Sequence, residues 1–367
     1  MSSLTAIVKV TMGCNLGCDY CYSVLPGSQP VMSREVLERF IEQFLATATE
    51  SATFVWHGGE PLLAGVEFFE EVVRCQERYR RDGQEVWNGV QTNATPVTPA
   101  IAQFLKSAGF KVGVSIDGPQ AVHDHFRVFV GGRPSFDRVL RGMQTLRDAG
   151  VSFGALCTVT KPALPFCEDI YRFYLSEGLT RMDFLPCFSN SNNPHAVPYA
   201  PTADEYADFM IQLFDLWLAD DDPEIHIRYF VDALRVLSGQ PAHFCKLRSH
   251  CLGHITVFPD GTVGPCDELP RHPETMLGNI LHDDLGEMLR GEAIKRLDAV
   301  WQIGKAQNGH GVMNGLCHHC GEDYLDAETV AADSIFAHIA QAMRASGVEP
   351  RSFAPGQPIT DHIALVQ

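Results

Sequence analysis

Hydrophobic and polar positions in the first half of the chain alternate between two periods. Short apolar runs of strand length are each followed by a segment whose apolar residues recur at helical spacing. Ser33 is a suitable N-cap for the first of these helices. The pattern predicts strands at residues 6–10, 53–56, 86–92, 111–116, 153–159 and 182–185. A helix is predicted between each strand and the next, and the last of these helices covers residues 170–177.

Six strand–helix units in series require a parallel sheet with right-handed crossovers. Both an open doubly wound sheet and a partial barrel satisfy this requirement. The distinctive polar residues of this chain fall at the C-terminal ends of the predicted strands, where the active residues of α/β barrels gather. We therefore expect an α/β fold with a partial (β/α)6 barrel of the TIM type.

The pattern changes after Pro186. Residues 189–194 are rich in turn formers, Thr202 can cap a long helix, and a second helix is predicted at 229–237. Residues 255–266 predict a hairpin, 307–315 a loop and 330–345 a terminal helix. We expect a barrel at 1–190, a helical linker region at 191–240, a smaller domain at 241–330, and a helix with a tail at 331–367.

The charge of the chain narrows the classes of partner. Its formal net charge is −17, which argues against a protein that tracks nucleic-acid phosphates or binds anionic membranes. The N-terminus has no secretion signal, and no apolar run approaches the length of a membrane span. We expect a cytoplasmic protein. In a reducing cytoplasm, clustered cysteines favour metal or iron–sulfur ligation over disulfides.

Three cysteines stand close together after the first strand. Cys14, Cys18 and Cys21 have the spacing C-x3-C-x2-C. A tetrahedral zinc site or a complete four-iron cluster takes four protein ligands, so three thiolates on such a cluster would leave one iron open to a substrate or cofactor. A structural zinc knuckle and three ordinary core cysteines are the alternatives.

Polar motifs follow the next strands. His57-Gly58-Gly59-Glu60 comes after the second strand, where the glycines would allow a ligand close to the backbone and Glu60 offers a carboxylate to an ammonium group. Gln91-Thr92-Asn93 ends the third strand, and Ser115-Ile116-Asp117 ends the fourth. These residues converge on one rim of the proposed barrel.

Together these motifs resemble the radical S-adenosylmethionine (SAM) superfamily, and within it the anaerobic sulfatase-maturating enzymes and their peptide-modifying relatives. The resemblance implies that Cys14, Cys18 and Cys21 hold a [4Fe–4S] cluster. This cluster would cleave SAM reductively to a 5′-deoxyadenosyl radical that abstracts hydrogen from an unactivated C–H bond. The residues that the resemblance assigns to SAM binding are Tyr20, Gly58, Gly59, Glu60, Ser115, Arg127 and Leu185.

The C-terminal region resembles a SPASM domain, which carries auxiliary iron–sulfur clusters in this branch. The cysteines that carry this resemblance are Cys245, Cys251, Cys266, Cys317 and Cys320. The usual ending is absent, because no cysteine follows Cys320. Five thiols cannot fully ligate two four-iron clusters. We expect at least one auxiliary [4Fe–4S] cluster on the first three, with a fourth ligand from Cys317, Cys320, a non-cysteine side chain or the substrate.

Two further expectations concern the same region. A zinc site formed by Cys317, His318, His319 and Cys320 is an alternative use of the last two cysteines. Asp267 matches the aspartate that sulfatase-maturating enzymes use as a general base, and could accept the proton released when the substrate radical is oxidised. An ordinary turn aspartate is the alternative.

The resemblance predicts an oxidoreductase that oxidises or crosslinks a side chain of a peptide or protein. The chain begins directly at the first barrel strand, without a module to bind a leader peptide, which leaves a small-molecule natural-product intermediate as the alternative substrate. A non-catalytic metal-binding scaffold is a further alternative. We also expect an external electron donor such as flavodoxin or ferredoxin, and neither nucleic acid nor membrane as a partner.

Overall fold

A computed structural model describes residues 1–23, 29–188, 194–244, 247, 254–267, 271, 273, 275–296 and 322–350. The described residues form two compact units. The first contains residues 1–116 and 124–153 and the described part of 252–297, and the second contains 117–123 and the described part of 154–251 and 298–367.

The first unit is built on parallel strands in sequence order. β1 (Ser3–Thr11) pairs with β2 (Ser51–Gly58), β2 pairs with β3 (Glu85–Thr92), and β3 pairs with β4 (Lys111–Ser115), all in parallel. The C-terminal ends of these strands therefore lie at one edge, which is where the sequence placed the polar motifs.

Helices connect these strands, and the apolar spacing predicts each of them except the short helix at Gln120–Phe126. Ser33 Oγ accepts a hydrogen bond from Val36 N and caps the first helix, and Thr98 caps the third in the same way. The helices that follow β1, β2, β3 and β4 are α1 (Arg34–Thr47), α2 (Val66–Tyr79), α3 (Pro99–Ser107), α4 (Gln120–Phe126) and α5 (Phe136–Asp148).

Side chains along β2 alternate between two faces, one that packs in the aromatic core and one that carries His57. Phe54 and Trp56 are fully buried and stack in parallel with ring centroids 5.7 Å apart. Phe40 and Phe44 of α1 pack edge-on against Phe54. Each buried aromatic side chain contributes about 1.5–3 kcal/mol by leaving water. Successive strand residues point to opposite faces, so His57 lies on the face away from this aromatic core.

The predicted C-terminal hairpin also belongs to the first unit. β8 (His254–Val257) and β9 (Thr262–Gly264) pair in antiparallel fashion, which confirms the hairpin, and β10 (Gly278–Asn279) pairs with β9. β8 also pairs in parallel with β1, on the edge that β2 does not use. Nothing in the local pattern predicts this pairing, because it joins segments that are far apart in the sequence, such as Thr5 and His254.

The second unit contains the remaining parallel strands and four helices. β5 (Phe153–Val159), β6 (Arg181–Pro186) and β7 (His226–Ile227) pair in sequence order. The helix at Ala203–Asp220 begins with a capping box formed by Thr202 and Glu205, which confirms the predicted cap at Thr202. The helices are α6 (Cys167–Ser176), α7 (Ala203–Asp220), α8 (Arg228–Leu237) and α10 (Glu322–Ala345); α9 (Leu285–Met288) belongs to the first unit.

The predicted fold class, a mixed α/β fold with parallel strand–helix units, is confirmed. The terminal helix begins at Glu322, earlier than the predicted residue 330. Residues 189–193 of the predicted turn segment 189–194, the predicted loop at 307–315 and residues 351–367 of the tail lie outside the described residues. The domain boundaries stay a prediction. Within the described chain, no helix is both long and apolar enough to cross a membrane.

Gly142 supplies a test of the packing between α5 and the turn after β3. A Cβ at Gly142 would lie 2.0 Å from Ala94 O, whereas a Cβ at Gly89 would come no closer than 3.7 Å to its nearest neighbour. We expect Gly142→Ala to lower the free energy of unfolding by about 1–3 kcal/mol, since a well-packed contact cannot accept the added methyl group. Urea unfolding measures this effect. Gly89→Ala is the control, and equal stabilities of the two variants would contradict the close approach.

Candidate functional site

The cysteine loop follows β1 and is held by backbone hydrogen bonds. Gly17 N donates to Val128 O at 2.8 Å, and Val130 N donates to Asn15 O at 3.0 Å. The three predicted cluster ligands, Cys14, Cys18 and Cys21, are half-buried on this loop.

Cys14 shows how this loop suits a cationic centre. Burial, followed by the charge of Glu60, raises the pKa of Cys14 to about 12. Leu16 N donates to Cys14 Sγ at 3.3 Å, and Asn93 Nδ2 lies 3.7 Å from the same sulfur. These donors favour the thiolate and burial opposes it, and a metal cation bound to this sulfur would supply the charge that stabilises the thiolate. The residues present therefore fit an iron centre.

Two glycines bring the end of β2 against the cysteine loop. Gly59 N donates to Thr11 O at 2.8 Å, and Glu60 N donates to Gly13 O at 2.9 Å. A Cβ at Gly59 would lie 2.0 Å from Gly13 O. Gly58 has φ = +131°, a conformation that L side chains rarely adopt. The Gly-Gly pair is therefore required by backbone contact with the loop that carries Cys14.

Glu60 lies fully buried at the centre of a hydrogen-bond network. Its carboxylate accepts from Leu62 N at 3.0 Å, Thr92 Oγ1 at 2.7 Å and Asn93 N at 2.7 Å. Burial raises the pKa of Glu60 to about 7 in spite of these donors. Asn93 continues the network to Asn15, whose amide accepts from it at 3.0 Å. Glu60 thus joins the ends of β2 and β3, and its predicted contact with the SAM amino group stays a prediction.

The other predicted SAM-binding residues are distributed over both units. Tyr20 is buried against Phe126, and the guanidinium carbon of Arg127 lies 5.5 Å from the centroid of the Tyr20 ring. Ser115 Oγ accepts from Gln91 Nε2 at 2.8 Å. Leu185 is half-buried on β6 in the second unit. The contacts of these side chains with SAM stay predictions.

Lys9 is a buried cation that the sequence interpretation missed. Its side chain is 1% exposed, and its Nζ lies 3.2 Å from Asp267 Oδ2, 3.2 Å from His57 Nδ1 and 3.3 Å from Ser23 Oγ. A buried ammonium requires such partners because leaving water is costly. A lysine on an otherwise apolar strand was the signal that could have identified it.

Asp267 receives a second hydrogen bond from the cysteine loop. Tyr22 OH donates to Asp267 Oδ2 at 3.0 Å. Burial by itself would raise the pKa of Asp267, but the Lys9 ammonium, the His57 and His254 rings and the Tyr22 hydroxyl together outweigh it and hold this pKa well below its usual range. The predicted base is therefore ionised and held in one orientation.

His57 is neutral in this network. Gly58 N donates to His57 Nδ1 at 2.8 Å, so the ring proton resides on Nε2. Burial, followed by the charge of Lys9, lowers the pKa of His57 to about 3. The ring therefore accepts a hydrogen bond from Lys9 and does not compete with it as a cation.

Only part of the predicted auxiliary site falls within the described chain. Cys266 is half-buried and directly precedes Asp267. Cys245, Cys251, Cys317 and Cys320, and with them the alternative zinc site, lie outside the described residues. One ligand atom each from His254, Cys266 and Asp267 lie within 4.8 Å of one another, an arrangement that can hold a metal ion. His254 was not among the predicted ligands.

Comparisons with known families and relatives agree with the motifs. The family model of the radical SAM superfamily matches residues 8–165, and that of the SPASM iron–sulfur cluster-binding domain matches residues 249–321. A cysteine-type anaerobic sulfatase-maturating enzyme of Clostridium perfringens (strain 13 / Type A) is 30% identical over 342 residues, covering 89% of this chain and 92% of the relative. A serine-type enzyme of Bacteroides thetaiotaomicron is 32% identical over 302 residues, covering 76% and 72%.

Solved structures show the same relationship. Native anSMEcpe with bound AdoMet has a TM-score of 0.82 at 26% identity, covering 94% of this chain and 99% of that chain. Streptococcus suis SuiB bound to its precursor peptide SuiA has a TM-score of 0.60 at 13% identity, covering 79% and 65%, which is a likeness of fold alone.

These matches confirm the predicted cofactors. The chain is an oxidoreductase-type enzyme that uses SAM and a [4Fe–4S] cluster in its radical SAM domain, with auxiliary iron–sulfur binding in its SPASM domain. The chain belongs to the radical SAM superfamily, in the SPASM-bearing branch that includes the anaerobic sulfatase-maturating enzymes.

Proposed function

We propose that this enzyme oxidises a side chain of a peptide or protein substrate at Cβ, in the manner of sulfatase maturation. The observation that carries the proposal is the ionised Asp267 carboxylate, held by Lys9 and Tyr22 beside the predicted cluster ligand Cys266. Relatives of both the cysteine type and the serine type support the class of reaction, and anSMEcpe binds a Kp18Cys peptide in one structure.

The cofactors would be held by the described loops. We assign the [4Fe–4S] cluster to Cys14, Cys18 and Cys21, and SAM to the residues predicted above from Tyr20 to Leu185. When bound, SAM and the iron–sulfur clusters would supply the hydrogen-atom abstraction and the one-electron transfer that the oxidation requires. The protein contributes orientation of the substrate carbon and a site for the departing proton.

Asp267 is the proposed acceptor of that proton. Both hydrogen bonds that the described residues donate to its carboxylate end on Oδ2, which leaves Oδ1 for the substrate. Because its pKa is low, Asp267 can accept only an acidic proton. The proton of a thiol or hydroxyl attached to a carbon that has lost a hydrogen atom is of this kind. Lys9 and Tyr22 then keep the carboxylate in place during transfer.

Three finer parts of the proposal concern the surroundings of the enzyme. We propose a peptide or protein substrate rather than a small molecule, because the relatives are cysteine-type and serine-type sulfatase-maturating enzymes. An external donor such as flavodoxin or ferredoxin would supply the electron, and the reducing cytoplasm would be the setting. The reaction is tested with cysteine- and serine-containing sulfatase peptides under anaerobic conditions.

Gly59 tests the proposed cluster loop. In Gly59→Ala, the added Cβ would lie 2.0 Å from Gly13 O and displace the loop that carries Cys14. We expect the anaerobically reconstituted variant to hold about four fewer irons per chain, the content of one [4Fe–4S] cluster. Iron analysis measures this loss. Gly17→Ala is the matched control on the same loop, because its Cβ would meet a single atom at 3.9 Å. Full iron content in both variants would reject the assignment.

Asp267 tests the proposed base. Asp267→Asn keeps the size of the side chain but cannot accept the proton, so we expect oxidised peptide to fall by about 100-fold or more. Release of 5′-deoxyadenosine should continue, because SAM cleavage does not need the carboxylate. Mass spectrometry of the peptide and chromatography of the nucleoside measure the two.

Asp260→Asn is the matched control for this experiment. Asp260 lies at the turn of the same hairpin, where it pairs with Arg271 at 2.6 Å on the surface. This variant should turn over normally. Wild-type yields of oxidised peptide from Asp267→Asn would remove Asp267 as the base.

A further inference from the structure

His254 is a half-buried residue whose ring has a buried and unused nitrogen. It is the first residue of β8, and its Nε2 is buried without a hydrogen-bond partner among the described residues. A buried polar atom left without a partner costs about 1–3 kcal/mol, and native proteins contain few of them. The unpaired Nε2 therefore requires an explanation, and coordination of a metal centre by this nitrogen would offset the energetic cost of burying it.

The hairpin places this imidazole beside a predicted cluster ligand. Thr256 lies opposite Gly264 in the β8–β9 register, and continuing that register by two residues places His254 opposite Cys266. One ring nitrogen of His254 lies within 4.8 Å of Cys266 Sγ and of an Asp267 carboxylate oxygen. No other group of three such ligand atoms lies this close together in the part of the chain that the structure describes.

Asp267 is the weaker candidate of the three for binding a metal. Its Oδ2 already accepts hydrogen bonds from Lys9 and Tyr22, so its charge is balanced within the protein. The Nε2 of His254 has no such commitment among the described residues. The geometry therefore distinguishes a carboxylate that already accepts two hydrogen bonds within the protein from an imidazole that is available for coordination.

The cysteine inventory leaves room for a nitrogen ligand. Beyond the radical-generating triad, the C-terminal pattern supplies five cysteines, and none follows Cys320. Imidazole nitrogen replaces cysteine sulfur on iron in Rieske-type clusters, so histidine is a chemically competent substitute. Such a ligand is neutral where a thiolate is negative, and this difference raises the reduction potential of a cluster.

We propose that His254 is a protein ligand of the auxiliary iron–sulfur centre that Cys266 helps to hold. The proposal rests on the SPASM match and not on the substrate or on the role of Asp267. A centre with one imidazole ligand has a higher reduction potential than its all-cysteine equivalent. It is therefore better suited to receive an electron from a substrate radical next to Asp267.

The test uses the full chain, reconstituted with iron and sulfide and labelled with ¹⁵N in histidine only. After reduction without SAM or peptide, pulsed EPR should detect one histidine nitrogen coupled to a cluster. His254→Cys should keep the iron content, lose this coupling and shift one reduction potential to a more negative value. His254→Gln should lose the coupling, with or without loss of iron. The control is His338→Gln, which should keep the coupling, because His338 on α10 is hydrogen-bonded to Asp215 of α7.

Several results would overturn the proposal. They are the absence of histidine coupling in the wild-type protein, coupling that persists in His254→Cys, and a mononuclear zinc or iron at His254 in place of a cluster. Because the measurement involves no turnover, its outcome is independent of whether Asp267→Asn blocks peptide oxidation. Failure of either proposal can thus be recognised separately.

Discussion

The buried ammonium of Lys9 is the interaction on which the arrangement of the first unit's site depends. It contacts Asp267 after the C-terminal hairpin and His57 at the end of β2, and Asp267 in turn accepts from Tyr22 of the cysteine loop. Leaving one member of a buried ion pair alone costs about 3–5 kcal/mol, so these segments are strongly constrained to stay together. One cation therefore fixes the position of the carboxylate relative to the loop of the predicted cluster ligands.

A second constraint acts through the backbone rather than through charge. Gly59 and Gly13 approach so closely that no side chain fits between them, and Glu60 then joins the ends of β2 and β3. The Gly-Gly-Glu motif thus has a structural role that is independent of any ligand. The same residues can hold a cofactor because they are already fixed by the fold. A radical reaction needs preorganisation of this kind, because a small displacement of the reacting carbon lowers the reaction rate.

Local patterns in the sequence predicted most of the fold. The caps at Ser33 and Thr202 and the strand at residues 153–159 agree with the structure because each depends on neighbouring residues alone. The motifs also led to Asp267, since its place after Cys266 is visible in the sequence. What could not be predicted depends on contacts between distant segments. The pairing of β8 with β1 and the partners of Lys9 both require the tertiary fold.

The pairing of β8 with β1 has a consequence for synthesis of the chain. β1 is made first and acquires β2 early, but its other edge pairs with residues 254–257. Lys9 and Asp267 are 258 positions apart, so the buried lysine also lacks its carboxylate until late in translation. An open strand edge is a template for aggregation, and non-local pairing is slow. The nascent chain thus carries an unprotected edge of β1, and a lysine without its carboxylate, until residues 254–267 have been synthesised.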